Sequence, residues 1–173
     1  MQRRFARWVL VALGVLGVAQ ISMAQMDKAD IFVGYSHLGD NAFHSGAGGL
    51  NGWEGAMNVK VRRFVGIEGD LSKYGMGSAS IRPHTTLLMA GPRVTVGTMG
   101  VHVFVHGLIG GEHTSDSAGL SATSMAVGYG GGGDLRFLPY LSLRVSADYL
   151  TSPTSSPAGA SHARFSTGIV VRF

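Results

Sequence analysis

Between Ala163 and Phe173 the chain alternates in polarity along its length. Ala163, Phe165, Thr167, Ile169, Val171 and Phe173 fall on one side of an extended strand, while Arg164, Ser166, Gly168 and Arg172 fall on the other. Successive side chains of a strand point to opposite faces, so this stretch has one apolar and one polar face. The pattern recurs from Tyr140 to Leu150, with Leu141, Leu143, Val145, Ala147 and Tyr149 set against Ser142, Arg144, Ser146 and Asp148. It recurs again where Val101, Val103, Val105 and Ile109 oppose His102, Phe104, His106 and Leu108. Segments of about ten residues with this period are what a tilted strand needs when one face meets lipid and the other a polar lumen.

Helices are a poor alternative. The chain carries 27 glycines, and its longest glycine-free interval, 134–158, is broken by Pro139, Pro153 and Pro157. The alternation instead predicts strands near 29–38, 50–60, 64–74, 85–96, 100–111, 121–132, 139–150 and 162–173. Long connections (39–49, 75–84, 112–120, 151–161) alternate with short ones (61–63, 97–99, 133–138), as in an up-and-down outer-membrane barrel with long loops outside. An even strand count puts both ends of the barrel domain on the periplasmic side.

The first residues read differently. Arg3, Arg4 and Arg7 precede an apolar run of 12 residues from Trp8 to Ala19, and Ser22-Met23-Ala24 carries small residues at cleavage positions. The run is short of the roughly 18 residues a spanning helix needs. Residues 1–24 are therefore expected to be a secretory signal peptide and 25–173 the barrel domain. Without the three leader arginines, 14 − 3 = 11 basic residues face 10 acidic ones, so the mature part is nearly neutral and nucleic acid is not an expected partner. There is no cysteine, which excludes a disulfide framework and a thiolate zinc site.

Several segments resemble the small bacterial outer-membrane barrels of the OmpA-like and OmpX-like class, over the whole mature chain. They are Leu50-Asn51-Gly52-Trp53 leading into Gly66-Ile67-Glu68-Gly69-Asp70-Leu71, then Ala90-Gly91-Pro92-Arg93, Phe104-Val105-His106 and Ala147-Asp148-Tyr149-Leu150, and the terminal Gly168-Ile169-Val170-Val171-Arg172-Phe173. The last is the distinctive one. The resemblance implies an eight-stranded antiparallel transmembrane barrel in the outer membrane of a Gram-negative-type cell, without cofactor. It also implies that Phe165, Ile169, Val171 and Phe173 form an address for the barrel-assembly machinery, and that lipid and lipopolysaccharide surround the wall. Pro92 departs from plain strand logic because it lacks an amide donor, and a bulge is expected there.

The inward positions collect charge: Glu54, Glu68, Asp70, Arg93, Arg144, Asp148 and Arg164, with His102 and His106. An eight-stranded interior is just wide enough for its own side chains, so this set reads as a packed ion-pair network rather than a conductive or catalytic lumen. The hairpin at 61–63 would bring Glu54 near Asp70, and Arg93 or Arg144 is expected to reach across to them. His102 and His106 stand about 13 Å apart by strand rise and do not share a metal. His37, His44, His84, His113 and His162 lie in or beside long connections, where solvated histidines are expected. The run Gly130–Gly133 lacks a following Lys-Ser/Thr and a helix, so close packing or a bend near the turn fits it better than a phosphate loop. Trp53, Phe64, Tyr74, Tyr129, Phe137, Tyr140, Tyr149 and Phe173 suggest interfacial girdles.

The expected role is structural and surface-interacting, through the outward loops. Two alternatives stand beside it. A lipid-modifying enzyme could use Ser161, His162 and Asp148 at the outer rim, although no nucleophile-elbow motif accompanies them. A soluble lipocalin-like barrel would reverse the faces, apolar inside and polar outside. If the leader is processed as read, mass spectrometry of the protein purified from the envelope finds Gln25 at its start. A chain still carrying residues 1–24 contradicts the reading.

Overall fold

The computed structural model describes residues 29–39, 49–75, 84–98, 100–115, 121–152 and 160–173. They form eight strands: β1 (Ala29–Leu38), β2 (Leu50–Lys60), β3 (Val65–Gly75), β4 (His84–Thr98), β5 (Val101–Ser115), β6 (Ser121–Leu138), β7 (Leu141–Ser152) and β8 (Ala160–Arg172). Each pairs antiparallel with its neighbour in sequence. The last pairs with the first, from Asp30↔Arg172 to Leu38↔Arg164, so the sheet closes into a barrel. The expected fold class is thus the observed one. The proposed leader and its cleavage site, His44 and Met99 lie outside the described residues.

Alternation decides what each wall residue meets. In β3 every second residue is buried, and Gly66, Glu68, Asp70, Ser72 and Tyr74 face the lumen while Val65, Ile67, Gly69, Leu71 and Lys73 face out. In β7, Ser142, Arg144, Ser146, Asp148 and Leu150 point inward, and Leu143, Val145 and Tyr149 are exposed on the outside. Val33, Ile67, Leu88, Val105, Ile109, Val145 and Phe165 are all more than half exposed, whereas Arg93, Arg144 and Arg164 are at most 2% exposed. A water-soluble barrel has the opposite arrangement. This one hides its charges and presents its hydrocarbon.

Four strands are longer than the alternation predicts, β8 by one residue. β4 and β5 extend to His84 and Ser115, because their polar end residues still pair, Thr85 with Thr114 and Thr86 with His113. β6 runs on to Leu138, so the expected turn at 133–138 contracts to the residues between β6 and β7. Polar composition signalled a loop there, but a ladder needs only main-chain partners. The Gly130–Gly133 run is consequently within the strand and not at a bend. Its glycines serve close approach: a Cβ on Gly132 would meet Val145 O at 2.3 Å and the Phe104 ring at 2.9 Å, and one on Gly130 would meet Asp148 Oδ1 at 2.1 Å.

Pro92 also departs from expectation, since no bulge forms. Pairing with β3 is continuous through Ile67↔Pro92, and on the β5 side the register is the same before the gap (Ala90↔Ile109) and after it (Arg93↔His106). The missing donor is absorbed by leaving Gly91 and Pro92 out of the β5 ladder, where Gly107 O would lie 1.9 Å from a Cβ on Gly91. Among the described residues a register shift occurs instead between Arg136 and Leu138, against β7.

The lumen is layered. Toward the end bearing the longer connections, Leu38, Tyr74, Leu87, Met89, Leu108, Ala126 and Leu150 pack into an apolar cluster. Tyr74 is therefore interior and belongs to no girdle, its hydroxyl 2.9 Å from Ser36 Oγ. Trp53, Phe64, Tyr129, Phe137, Tyr140, Tyr149 and Phe173 are exposed on the outer surface, with Tyr129 against Tyr149 at 5.5 Å between ring centroids. Ile169, paired with Val33 and Leu143, lies further from the short-turn end than Val171, paired with Ile31 and Leu141. In a lipid-facing wall Ile169→Lys should then cost about 2–4 kcal/mol and Val171→Lys distinctly less. Urea unfolding from vesicles measures both, and equal, negligible losses would contradict the wall.

Candidate functional site

The charged side chains of the lumen form two knots joined by one histidine. In the knot nearer the short turns, Glu68 accepts from Arg93 Nη1 at 2.8 Å. Asp134 accepts from Arg144 Nε at 2.7 Å and Nη2 at 3.0 Å, and from Arg172 Nη2 at 2.7 Å. Asp30 takes Arg144 Nη2 at 3.2 Å, Arg93 Nη1 at 3.5 Å and Asn58 Nδ2 at 2.8 Å. The guanidinium carbons of Arg93 and Arg144 stand 3.7 and 4.7 Å from the centroid of Phe104, so one inward ring supports both cations.

The second knot is built on Arg164, which is fully buried. Its Nε donates to Asp148 Oδ2 at 2.7 Å, and its Nη1 donates to both Asp70 oxygens at 3.0 and 3.1 Å. Glu54 Oε2 lies 3.7 Å from Nε and accepts from Ser166 Oγ at 2.5 Å. His106 links the knots, its Nδ1 3.0 Å from Glu68 and its Nε2 2.7 Å from Asp148. Above them Glu112 accepts from Ser152 and, at 3.4 Å, from Thr114. With six carboxylates (Asp30, Glu54, Glu68, Asp70, Asp134, Asp148) sharing Arg93, Arg144, Arg164 and Arg172, every charge of the cage has an opposite one within 3.7 Å. Bringing these ions out of water is compensated only by such saturation.

An apolar exterior, a closed antiparallel ladder and an ion-paired interior occur together in proteins whose wall is solvated by lipid. The fold is that of a small outer-membrane β-barrel. Among solved structures it is similar to the attachment invasion locus protein Ail of Yersinia pestis, at 16% identity and a TM-score of 0.59, over 86% of this chain and all of that one. Neisserial surface protein A matches at 14% identity and a TM-score of 0.63, over 84% of this chain and 96% of that one. The N-terminal β-barrel domain of Pseudomonas aeruginosa OprF matches at 12% identity and a TM-score of 0.57, over 84% and 99% of the two chains. No family model matches the sequence. No curated protein matches it either.

Sequence reasoning placed Glu54, Glu68, Asp70, Arg93, Arg144, Asp148 and Arg164 on inward positions, and all seven are buried there. The pairing differs in one respect. Arg164, and neither Arg93 nor Arg144, reaches Glu54 and Asp70, because Arg93 and Arg144 are held by Asp30, Glu68 and Asp134. Asp30, Asp134 and Arg172 were missed as members. Asp30 and Arg172 sit at strand ends, and Asp134 fell in the supposed turn; inward parity with Phe32, Gly132 and Val170 is the signal that would have found them. His102 lies apart from His106 and accepts from Arg172 at 2.9 Å. His37 bonds Asn51 and His113 bonds Thr123, both from strand positions. Of the terminal set, Phe165, Ile169 and Phe173 are exposed outward and Val171 partly so.

Removing one partner of a buried pair leaves an orphaned charge. Arg164→Met should therefore lower stability by about 3–5 kcal/mol. Adding Asp70→Asn to it should return part of that loss, because one uncompensated carboxylate disappears. Equilibrium unfolding of the single and double variants measures this, and a further loss in the double variant would contradict the assignment.

Proposed function

We propose that the chain is an integral outer-membrane protein of a Gram-negative-type cell, without cofactor or catalytic centre. Its lumen is shut by the charged cage and the apolar layer, and its working surface is the end carrying the connections 39–49, 76–83, 116–120 and 153–159. The observation that supports this most is the sense of the alternation: buried arginines and carboxylates inside, Val, Ile, Leu and aromatic side chains outside. A lipocalin-like barrel would need the faces reversed. Ail and Neisserial surface protein A are by name an attachment and invasion protein and a surface protein, which fits contact with envelope components or other surfaces. Lipid and lipopolysaccharide would solvate the wall, and the terminal strand with Phe165, Ile169, Val171 and Phe173 would serve as the address for the barrel-assembly machinery.

The rim alternative, a lipid-modifying enzyme, has little support in the geometry. Asp148 is committed to His106 and Arg164, and Ser161 Oγ lies 3.5 Å from Thr151 Oγ1. A nucleophile needs a base within hydrogen-bond reach.

In planar bilayers the folded protein should give no stable, large-conductance openings, because cage and apolar layer both obstruct the axis. The same preparation should migrate differently on a gel before and after boiling, as closed barrels do. Sustained conductance would contradict the sealed lumen, and identical migration would contradict the membrane barrel.

A further inference from the structure

The short-turn mouth of the barrel contains a cavity of about 200 Å³, lined by Lys60, His102, Arg136 and Arg172 together with Asp30 and Phe173. All four basic residues continue the inward parity of their strands, so they converge from β2, β5, β6 and β8. Asp30 is already engaged by Arg144, Arg93 and Asn58, and Asp134 beneath is engaged by Arg144 and Arg172. Among the side chains of the lining, basic groups outnumber the one carboxylate, Asp30. Arg172 can only donate, so His102 Nδ1 accepts its bond and the ring proton is on Nε2, which gives the lining a further donor.

The backbone is shaped for this arrangement. The register shift between Arg136 and Leu138 falls beside Arg136, and bulges commonly re-aim a side chain at a barrel rim. Arg136 N–H donates to Gly100 O at 2.7 Å, and Gly100 adopts φ 99°, a conformation that favours glycine. Gly97 is opposite His102, where a Cβ would meet Val101 O, His102 Cα and the imidazole, so glycine permits the close approach of β4 to β5 beside this mouth.

We propose that this mouth is a binding site for a phosphate group, held by Arg136, Lys60, Arg172 and the His102 Nε2–H. Two guanidinium groups and an ammonium around one recess suit an oxyanion with several acceptor oxygens. The group could arrive as a free phosphate or as the headgroup of an anionic lipid in the adjoining leaflet. The site depends on the outer-membrane reading only for the side it faces.

The test is a titration of the folded protein in a non-ionic maltoside detergent with inorganic phosphate, followed by the ¹H–¹⁵N signals of His102 and the arginine side chains. Saturable shifts in the millimolar range or below are expected. Arg136→Gln and Lys60→Gln should each weaken the response about tenfold, while Lys73→Gln on the outer wall should leave it unchanged. Heat-modifiability on a gel checks that each variant is folded. Repeating the titration in phosphatidylglycerol nanodiscs separates the sources: a weakened phosphate response marks the lipid headgroup, an unchanged one a free phosphate. Absence of saturation, or equal binding by wild type and a folded Arg136→Gln, overturns the site. Gel migration of a closed barrel alongside absent binding would sink this proposal and leave the membrane reading intact.

Discussion

The ladder between β1 and β8 removes the two free edges that an eight-stranded sheet would otherwise expose. In hydrocarbon an unpaired N–H or C=O costs several kcal/mol, so a sheet can enter a bilayer only when closed. From Asp30↔Arg172 to Leu38↔Arg164 this one seam satisfies both edge strands. Once it is closed, inward and outward become fixed directions for every residue. The same seam brings Asp30 and Arg172 to the short-turn mouth and Arg164 into the second knot.

Closure also determines what the interior can contain. Eight strands enclose an interior about as wide as its own side chains, so the inward charges must find their partners among one another. The chain does this in two layers with different physics. Near the short turns, Arg93 and Arg144 are neutralised by Asp30, Glu68 and Asp134 and lie over Phe104. Toward the other end the filling changes to Leu38, Leu87, Met89, Leu108 and Leu150 around Tyr74. His106 couples the two knots, so a change in one carboxylate is felt by both.

Strand number, order and the inward parity of the seven charged positions were legible in the sequence, because alternation with period two maps directly onto the faces of a strand. The ends of β4, β5 and β6 were not. Glu112, His113 and Thr114 look like loop residues, yet their main chains pair, and local composition carries no information about the partner strand. Partners within the cage were equally hidden, since a long arginine such as Arg164 reaches past its neighbour Asp148 on β7 to Asp70 on β3 and Glu54 on β2, strands remote in sequence. Pro92 shows the same limit from the opposite direction: the sequence announced a missing donor, but only the register shows that two skipped pairs absorb it without a bulge.

The central claim is that lipid contacts the outward face of these strands and that neither lipid nor bulk water reaches the inward side chains packed between the two mouths. It is tested most directly by methyl-labelled protein in lipid nanodiscs, through cross-relaxation to acyl-chain and water protons. Val33, Ile67, Leu88, Val105, Ile109 and Val145 should show strong transfer from acyl chains, and Leu87, Leu108, Leu150 and Val170 none from acyl chains and little from bulk water. Acyl-chain contacts at the second group, or water contacts throughout the first, would contradict the account.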